Sequence, residues 1–353
     1  MNIQRRIGAA LAACVITAAA AVWQGSVAPA RAAEDAVSLF GAGATFPAPL
    51  YKKWIEAYQQ AHPNVAIDYA AVGSGEGISR FVAGSVDFGA SDIGLPDADA
   101  AKVANGVVMV PATSGMVVLA YNIPGVTGEL RLPRDVYADI FSGKISQWND
   151  PRIVAANPAL KLPAMNIAPV VRLDASGTTY TFTQNLEAIS PNWRTSGLSV
   201  GTLIAWPNTA MTVRGNEGVA SRIKISEGAI GYLEYGFAKR LGLPVAALQN
   251  KAGQYVKPTE AAGQLALSEA AAEGSGERRV FVADPIGSDA YPIVTFSWLL
   301  LYQRYGDPRR SEVLKDFVGW GLSQGQSFGS DLGYIPLAPA VVAQAEQTLA
   351  SIR

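Results

Sequence analysis

The sequence predicts an α/β protein of two lobes, and three observations lead there. Short β-branched runs pass repeatedly through glycine- and hydroxyl-bearing turns into amphipathic helices, the alternation from which α/β layers are built. The chain has 353 residues, and about 320 remain once an N-terminal leader is set aside, which is large for one hydrophobic core and comfortable as two. Two long apolar, β-rich passages, Val107–Asn122 and Ile293–Tyr302, suit a crossing from one lobe into the other and a return. The expected organisation is a leader at 1–32, a first lobe from 33–119 plus 293–353, and a second from 120–292. No repeat, coiled coil, low-complexity tract or charge run interrupts it.

The leader reads as an export signal. Arg5 and Arg6 precede a mostly apolar stretch from Ile7 to Trp23, and Ala30-Arg31-Ala32 offers small residues ahead of a cut before Ala33. The apolar run barely reaches the ~20 residues of a membrane span. Leu11-Ala12-Ala13-Cys14 has the spacing of a lipoprotein cleavage box, but Cys14 comes early for one and the apolar run continues past it, so a soluble exported protein is favoured. The cut removes Cys14, the one cysteine, and with it disulfides, thiol catalysis and cysteine zinc sites. It also removes three of the 28 basic residues and none of the 29 acidic ones, leaving 25 against 29, or −4 with histidine neutral. That balance does not point to nucleic acid or an anionic membrane. An anion would have to be held by local geometry.

From the start of the first lobe, Ser38–Thr45 reads as a strand running into a glycine-rich loop. Pro47 suits the first turn of the following helix, Thr45 its cap, and Leu50, Trp54 and Tyr58 its buried face. His62-Pro63 ends it. Val65–Val72 is a second strand, entering Gly73-Ser74-Gly75-Glu76-Gly77 and a short helix with Ile78, Phe81 and Val82 inward. Ser74 stands at the tip of that turn, which is either an ordinary βα connection or a ligand loop needing close backbone approach. It is not a nucleotide P-loop, since no Lys-Ser/Thr follows the glycines. Val86–Ser91 is a strand ending at Asp92. A carboxylate there is either a cap or a discriminating acceptor: it takes a hydrogen bond from a protonated oxyanion and repels one that carries no proton.

In the second lobe, Val107–Asn122 is too long for one strand and carries the crossing, Leu132–Gly143 is a helix begun by Pro133, and Lys144–Asp150 is a polar loop around a buried Trp148. Asn166–Ile189 is the stretch around which the rest is organised. Its β-branched first half makes a strand, and Phe182, Leu186 and Ile189 share a helical face in the second. Between them, Arg172, Ser176, Gly177 and Thr178 bring a guanidinium, two hydroxyls, free backbone N–H groups and the positive end of a helix dipole to one point. Those pieces make an oxyanion site or, taken alone, an ordinary helix cap. Asn216–Ile230 contains a short helix, Gly228–Tyr232 a core strand, and Val245–Gly276 peripheral helix and loop. Ile293–Tyr302 returns as a strand, with helices at Ser311–Ser323 and Ala338–Arg353.

As a set, GAGATFPAPLYKKW (Gly41–Trp54), the turn at Gly73–Gly75, VDFGASD (Val86–Asp92) and the R-x-D-x-SGT run (Arg172–Thr178) resemble the periplasmic phosphate-binding proteins of Pst-type phosphate ABC transporters in order and spacing. GKISQWNDPRI (Gly143–Ile153) and GAIGYLEY (Gly228–Tyr235) extend the resemblance over essentially the whole mature chain. It implies a type II periplasmic-binding-protein fold, two mixed-sheet α/β lobes joined by two hinge crossings and closing over one phosphate. It further implies that Thr45, with Ala44 and the backbone of Phe46, binds phosphate from the first helix entrance and Ser74 from the second. Asp92 would accept the phosphate proton, Arg172 would supply the cation with Asp174 behind it, and Ser176, Gly177 and Thr178 would complete the cage. The resemblance implies a monomeric periplasmic receptor without cofactor or metal, partnered by inorganic phosphate and an inner-membrane permease with its ATPase. One departure stands out: Glu76 takes the place of a small residue, and repels an anion unless it points to solvent or pairs with Arg80.

A secreted phosphatase is the competing class, and a receptor for another oxyanion is a further alternative. The only histidine is His62, at the end of a helix, so a Ser–His–Asp triad or a histidine metal centre has almost nothing to work with. An adhesion protein would not need three hydroxyl-bearing helix entrances and a convergent arginine.

Overall fold

The computed structural model describes residues 36–272 and 283–353; the leader and the Cys14 box lie outside them. In chain order, the first part holds β1 (Val37–Gly43), α1 (Ala48–Ala61), β2 (Val65–Ala71), α2 (Ser74–Val82), β3 (Phe88–Ser91), α3 (Asp97–Ala100) and β4 (Val107–Asn122). Then come β5 (Arg131–Leu132), α4 (Arg134–Phe141), α5 (Pro151–Ala156), β6 (Ala168–Arg172), α6 (Gly177–Ile189), α7 (Pro191–Arg194), β7 (Met211–Val213), α8 (Gly215–Ile225), β8 (Ala229–Glu234) and α9 (Tyr235–Leu241). The remainder is β9 (Ala247–Gln249), β10 (Tyr255–Val256), α10 (Glu260–Ala272), β11 (Val294–Tyr302), α11 (Pro308–Leu322), a 3-10 turn at Gln324–Phe328, α12 (Gly329–Leu332) and α13 (Pro339–Ala350).

Eight strands form one sheet in the order β2-β1-β3-β11-β4-β8-β6-β7. β4 is the member common to both lobes. Its first part, Val107–Met116, runs antiparallel to β11, and its last part, Val117–Asn122, antiparallel to β8. The expectation that this passage is too long for one strand is therefore corrected: it is one strand of 16 residues. Each half has its own partner, so the length is satisfied by two sheets' worth of pairing rather than by one. Almost every residue from Ala112 onward is buried, because helices cover both faces there.

The parallel pairs β1–β2, β1–β3, β6–β7 and β6–β8 are joined by crossovers containing helices, as parallel neighbours must be. Consequently the turns after β1 and β2, and after β3 beside them, open at one end of their strands, while β6, β7 and β8 run the opposite way, because β11 is antiparallel to both β3 and β4, and β8 is antiparallel to β4. Helix α1 buries Leu50, Tyr51, Trp54 and Tyr58. The Trp54 ring is fully enclosed, worth about 2 kcal/mol of apolar burial, and its Nε1–H donates to Gly325 O at 2.8 Å. In α11 the deepest residues are Leu314, Phe317 and Val318, with Val313 and Trp320 half-buried beside them.

Three further readings change. Val245–Gly276 is not only peripheral helix and loop: Ala246, Ala247 and Leu248 are buried, and β9 is the centre of a three-stranded sheet, β10-β9-β5. Strands of two or three residues are too short to show a period, which is why composition read as loop. Thr45 does not cap α1; the residue at the cap position is Pro47, and no side chain bonds there. Ser74 is the first residue of α2 rather than the tip of a loop, because Gly73 makes the turn ahead of it at φ +100°.

Candidate anion site at the cleft

The chain ahead of α1 and the N-termini of α2, α6 and α8 meet where the two lobes face each other. Gly75 N donates to Ala175 O across that boundary at 3.0 Å. Glycine makes the approach possible: a Cβ on Gly177 would lie 2.5 Å from Ser74 Oγ and 2.7 Å from Asp92 Cβ.

Arg172 ends β6 and is 3 % exposed. Its Nε donates to Asp174 Oδ1 at 2.8 Å and its Nη2 to Asp174 Oδ2, a two-pronged pair on the same loop. Asp174 also accepts from Gly215 N at 3.0 Å. Burial raises its pKa, but Arg172 and the Gly215 amide outweigh that and hold the carboxyl below its ordinary value. The third nitrogen of the guanidinium, Nη1, is buried and has no acceptor among the described residues. A buried charged donor left unpaired is costly, and an anion is the group that relieves it.

The hydroxyls around Arg172 are arranged as donors. Ser176 caps α6 by accepting from Thr179 N at 3.1 Å, which leaves its own proton to give. Gly177 and Thr178 are the first two residues of that helix, whose amides have no partner inside it. Ser74 Oγ accepts from Asp92 N at 3.2 Å. Thr45 Oγ1 accepts from both Asn216 N (3.2 Å) and Asn216 Nδ2 (2.9 Å), so both lone pairs are taken and its hydrogen can only be donated elsewhere. Asn216 Nδ2 also reaches Thr178 Oγ1 at 3.3 Å. Ala44 has its N–H on Ala90 O (2.9 Å) and its C=O on the Tyr69 hydroxyl (2.7 Å), so it positions Thr45 and offers no free backbone group. The Phe46 carbonyl is taken by the Tyr334 hydroxyl at 2.7 Å.

Among the described residues, Asp92 is the acceptor on which the Ser74 and Thr178 hydroxyls act. It is 1 % exposed, and Ser297 Oγ donates to its Oδ1 at 2.8 Å. Burial pushes the carboxyl up to about 7; the Ser297 hydrogen bond, the Arg172 charge and the hydroxyls of Ser74 and Thr178 pull the other way. At the mouth, Glu76 is paired with Arg80 Nε at 2.8 Å and half-exposed, so its charge is turned outward and met. The cleft opens through a cavity of ≈ 1140 Å³ lined among others by Lys52, Arg80, Arg214 and Arg240, where Glu217 is likewise paired, with Arg240.

The structure thus brings Thr45, Ser74, Asp92, Arg172, Asp174, Ser176, Gly177 and Thr178 together, leaves Ala44 as a residue that positions Thr45, and adds Asn216, Gly215 and Ser297. The first two had a legible signal: Met211–Val213, Gly215 and Asn216 repeat the strand–glycine–polar–helix grammar of the other entrances. Ser297 had a weaker one: with Thr295 it sets small hydroxyls into the otherwise apolar run Val294–Tyr302. Among the described residues, no group of three or more His, Cys, Asp or Glu is placed to hold a metal ion, and no helix is long and apolar enough to cross a membrane.

A family model described as "PBP superfamily domain" matches residues 29–324. The phosphate-binding protein PstS of Haemophilus influenzae is 38% identical over 309 residues, covering 87% of this chain and 91% of its own. The phosphate-binding protein PstS of Methanocaldococcus jannaschii is 37% identical over 341 residues, covering 91% and 87%. Among solved structures, a high affinity periplasmic phosphate-binding protein, PfluDING, bound with phosphate, superposes with a TM-score of 0.71 at 22% identity, over 88% of this chain and 93% of that one. This last likeness speaks for the fold.

Proposed function

The chain belongs to the PstS phosphate-binding proteins, within the PBP superfamily, and from that premise we propose that it is an extracytoplasmic receptor that captures inorganic phosphate in the cleft and delivers it to an ABC permease and its ATPase. The observation that carries this reading is the buried Arg172 Nη1 without an acceptor among the described residues, set among hydroxyl donors and helix N-termini, with Asp92 buried beside them. Thr45, the amide of Phe46, Ser74, Ser176, Gly177 and Thr178 donate to phosphate oxygens, as does Arg172, which Asp174 holds in place. Asp92 accepts the proton that hydrogen phosphate and dihydrogen phosphate carry and sulfate lacks. The receptor works as a monomer in the periplasm, after removal of residues 1–32, with lobes at 33–119 plus 293–353 and at 120–292. The change of partner along β4 at Met116/Val117 supports the first boundary.

Phosphate touching both lobes shifts the population toward the form in which they meet, and the permease reads that form. The reading includes no catalysis. His62 closes the far end of α1, where its Nδ1 lies 2.9 Å from Tyr58 O and its ring stacks on Tyr58. A helix of 14 residues puts it about 20 Å from the Thr45 end.

Calorimetric titration of ligand-free protein with phosphate and then sulfate at pH 9, above the Asp92 titration, tests the proposal. Tight one-to-one phosphate binding with little response to sulfate is expected. Equal binding of the two would keep the cage and discard the selectivity argument, and turnover of a phosphomonoester lost in Ser176→Ala would point to an enzyme instead.

A further inference from the structure

Asp92 does not stand alone at the end of β3. Strand β11, its antiparallel neighbour, holds it from behind at two points: Ser297 Oγ donates to Asp92 Oδ1 at 2.8 Å, and Thr295 Oγ1 to Asp92 O at 3.3 Å. Ser297 is fully buried. It sits where the β11–β4 register slips: Ser297 lies opposite Thr113 but Trp298 opposite Pro111, so Ala112 is an extra residue on β4. The bulge bends β4 beside Ser297, and the Ser297 side chain reaches the carboxylate at this point. With Oδ1 taken by Ser297, Oδ2 lies on the α6 side, 2.9 Å from the point a Gly177 Cβ would occupy, where the hydroxyls of Ser74 and Thr178 also act on the carboxyl.

Resting on the receptor reading, we propose that Ser297 is a positioning residue for anion discrimination: by donating to Oδ1 it keeps Asp92 ionised with Oδ2 turned to the ligand, so that the site demands a protonated oxyanion. The chemistry follows from which partner owns the proton. An ionised Asp92 can only accept, and it rejects sulfate. A protonated Asp92 can donate, and it admits sulfate. A charge-assisted bond from Ser297 favours the ionised form against the burial that opposes it.

The other groups acting on Asp92 bound the experiment. Arg172 on β6 is the cation; Tyr51 on α1, Tyr69 on β2 and Tyr334 after α12 are phenols pushed upward and stay neutral near pH 7. Glu234 at the end of β8 is a buried carboxyl also pushed upward, mainly by its burial and in part by Asp92. Sulfate does not titrate between pH 5 and 9, so it is the clean probe.

Sulfate and phosphate affinities are measured by calorimetry from pH 5 to 9 for the wild type, Ser297→Ala, Ser297→Thr and Asp92→Asn. In the wild type, sulfate binding is expected to fade as pH rises through the Asp92 titration. In Ser297→Ala that fading moves up by about one pH unit, a tenfold gain in sulfate affinity at a fixed pH on the slope, while phosphate still binds; Ser297→Thr returns the profile to that of the wild type. Asp92→Asn retains Glu234 and should show no such fading; a profile that persists there assigns the titration to Glu234 and overturns the proposal. So does a Ser297→Ala profile identical to that of the wild type. Loss of both anions at every pH in Ser297→Ala, unrepaired by Ser297→Thr, also overturns it and leaves Ser297 a strand residue only. If the wild type binds neither anion at any pH, the receptor reading itself has failed.

Discussion

Two residues of opposite charge, both buried, set the chemistry of the cleft. Arg172 is useful because a guanidinium has two edges: one is spent on Asp174 and the other keeps a nitrogen to give. A lysine has the charge without that geometry. Arg172→Lys should therefore lower phosphate affinity by about 10- to 100-fold, the worth of a charged hydrogen bond, and also lower the melting temperature of ligand-free protein, because the two-pronged bond to the buried Asp174 is lost with it; calorimetry and thermal melts check both. Asp92 makes a prediction about stability. Its pKa is raised on folding from 3.8 to about 7, so the folded state binds the extra proton between those values. Stability from this group is full below about pH 4 and is lost as pH rises to about 7, on the order of 4 kcal/mol in all. Ligand-free Asp92→Asn should lack that decline, and urea unfolding at pH 4, 5.5 and 7 would reveal it; parallel curves for both proteins would show that the carboxyl is not strained by burial. Residue chemistry is also where the sequence was most legible. The Arg172–Thr178 run names its own donors, whereas Asn216 and Ser297 act through contacts 171 and 205 positions away in the chain, so the local pattern around each does not name its partner.

At the scale of elements, the site is made by where helices begin. Strand, glycine or hydroxyl turn, then amphipathic helix was legible at Thr45, Ser74 and Ser176, because each turn stands between periodic segments long enough to read. The entrance at Gly215 was missed because β7 has three residues, and the small sheet around β9 for the same reason. Ser176 raises the question of whether a cap is also a ligand group, and α7 supplies the control. Ser190 caps that helix by accepting from Trp193 N at 3.2 Å, much as Ser176 caps α6. Ser176→Ala and Ser190→Ala should each lose about 1 kcal/mol of stability, measured by denaturant unfolding without ligand. Only Ser176→Ala should also weaken phosphate binding, since only that hydroxyl belongs to the proposed cage. Equal affinities in the two variants would reduce Ser176 to a cap.

Across the whole molecule, β4 and β11 do two jobs. They are central strands of the sheet, and β4 is also the continuous thread between the lobes, pairing with β11 before Val117 and with β8 after it. A strand shared in this way lets the lobes change their relation by bending at the point where partners change, without breaking either half of the sheet. What the lobes then need is a surface that permits close contact, and the sequence supplies it as glycine. A Cβ on Gly75 would lie 2.5 Å from Ala175 Cβ, and one on Gly73, already at φ +100°, 2.6 Å from Asp174 Oδ2. Gly75→Ala adds that methyl at a helix position any residue can adopt, so the ligand-free protein should fold with unchanged stability. The Gly75–Ala175 hydrogen bond should be lost, and with it part of the free energy that favours the closed form. The expected result is a phosphate affinity lowered by about tenfold or more, from one lost hydrogen bond plus the steric cost, with the compaction on phosphate addition seen by small-angle scattering reduced. Wild-type affinity with undiminished compaction would mean that the glycine contact is incidental. Lower affinity with full compaction would place the cost in the cage around Ser74, not in the approach of the lobes.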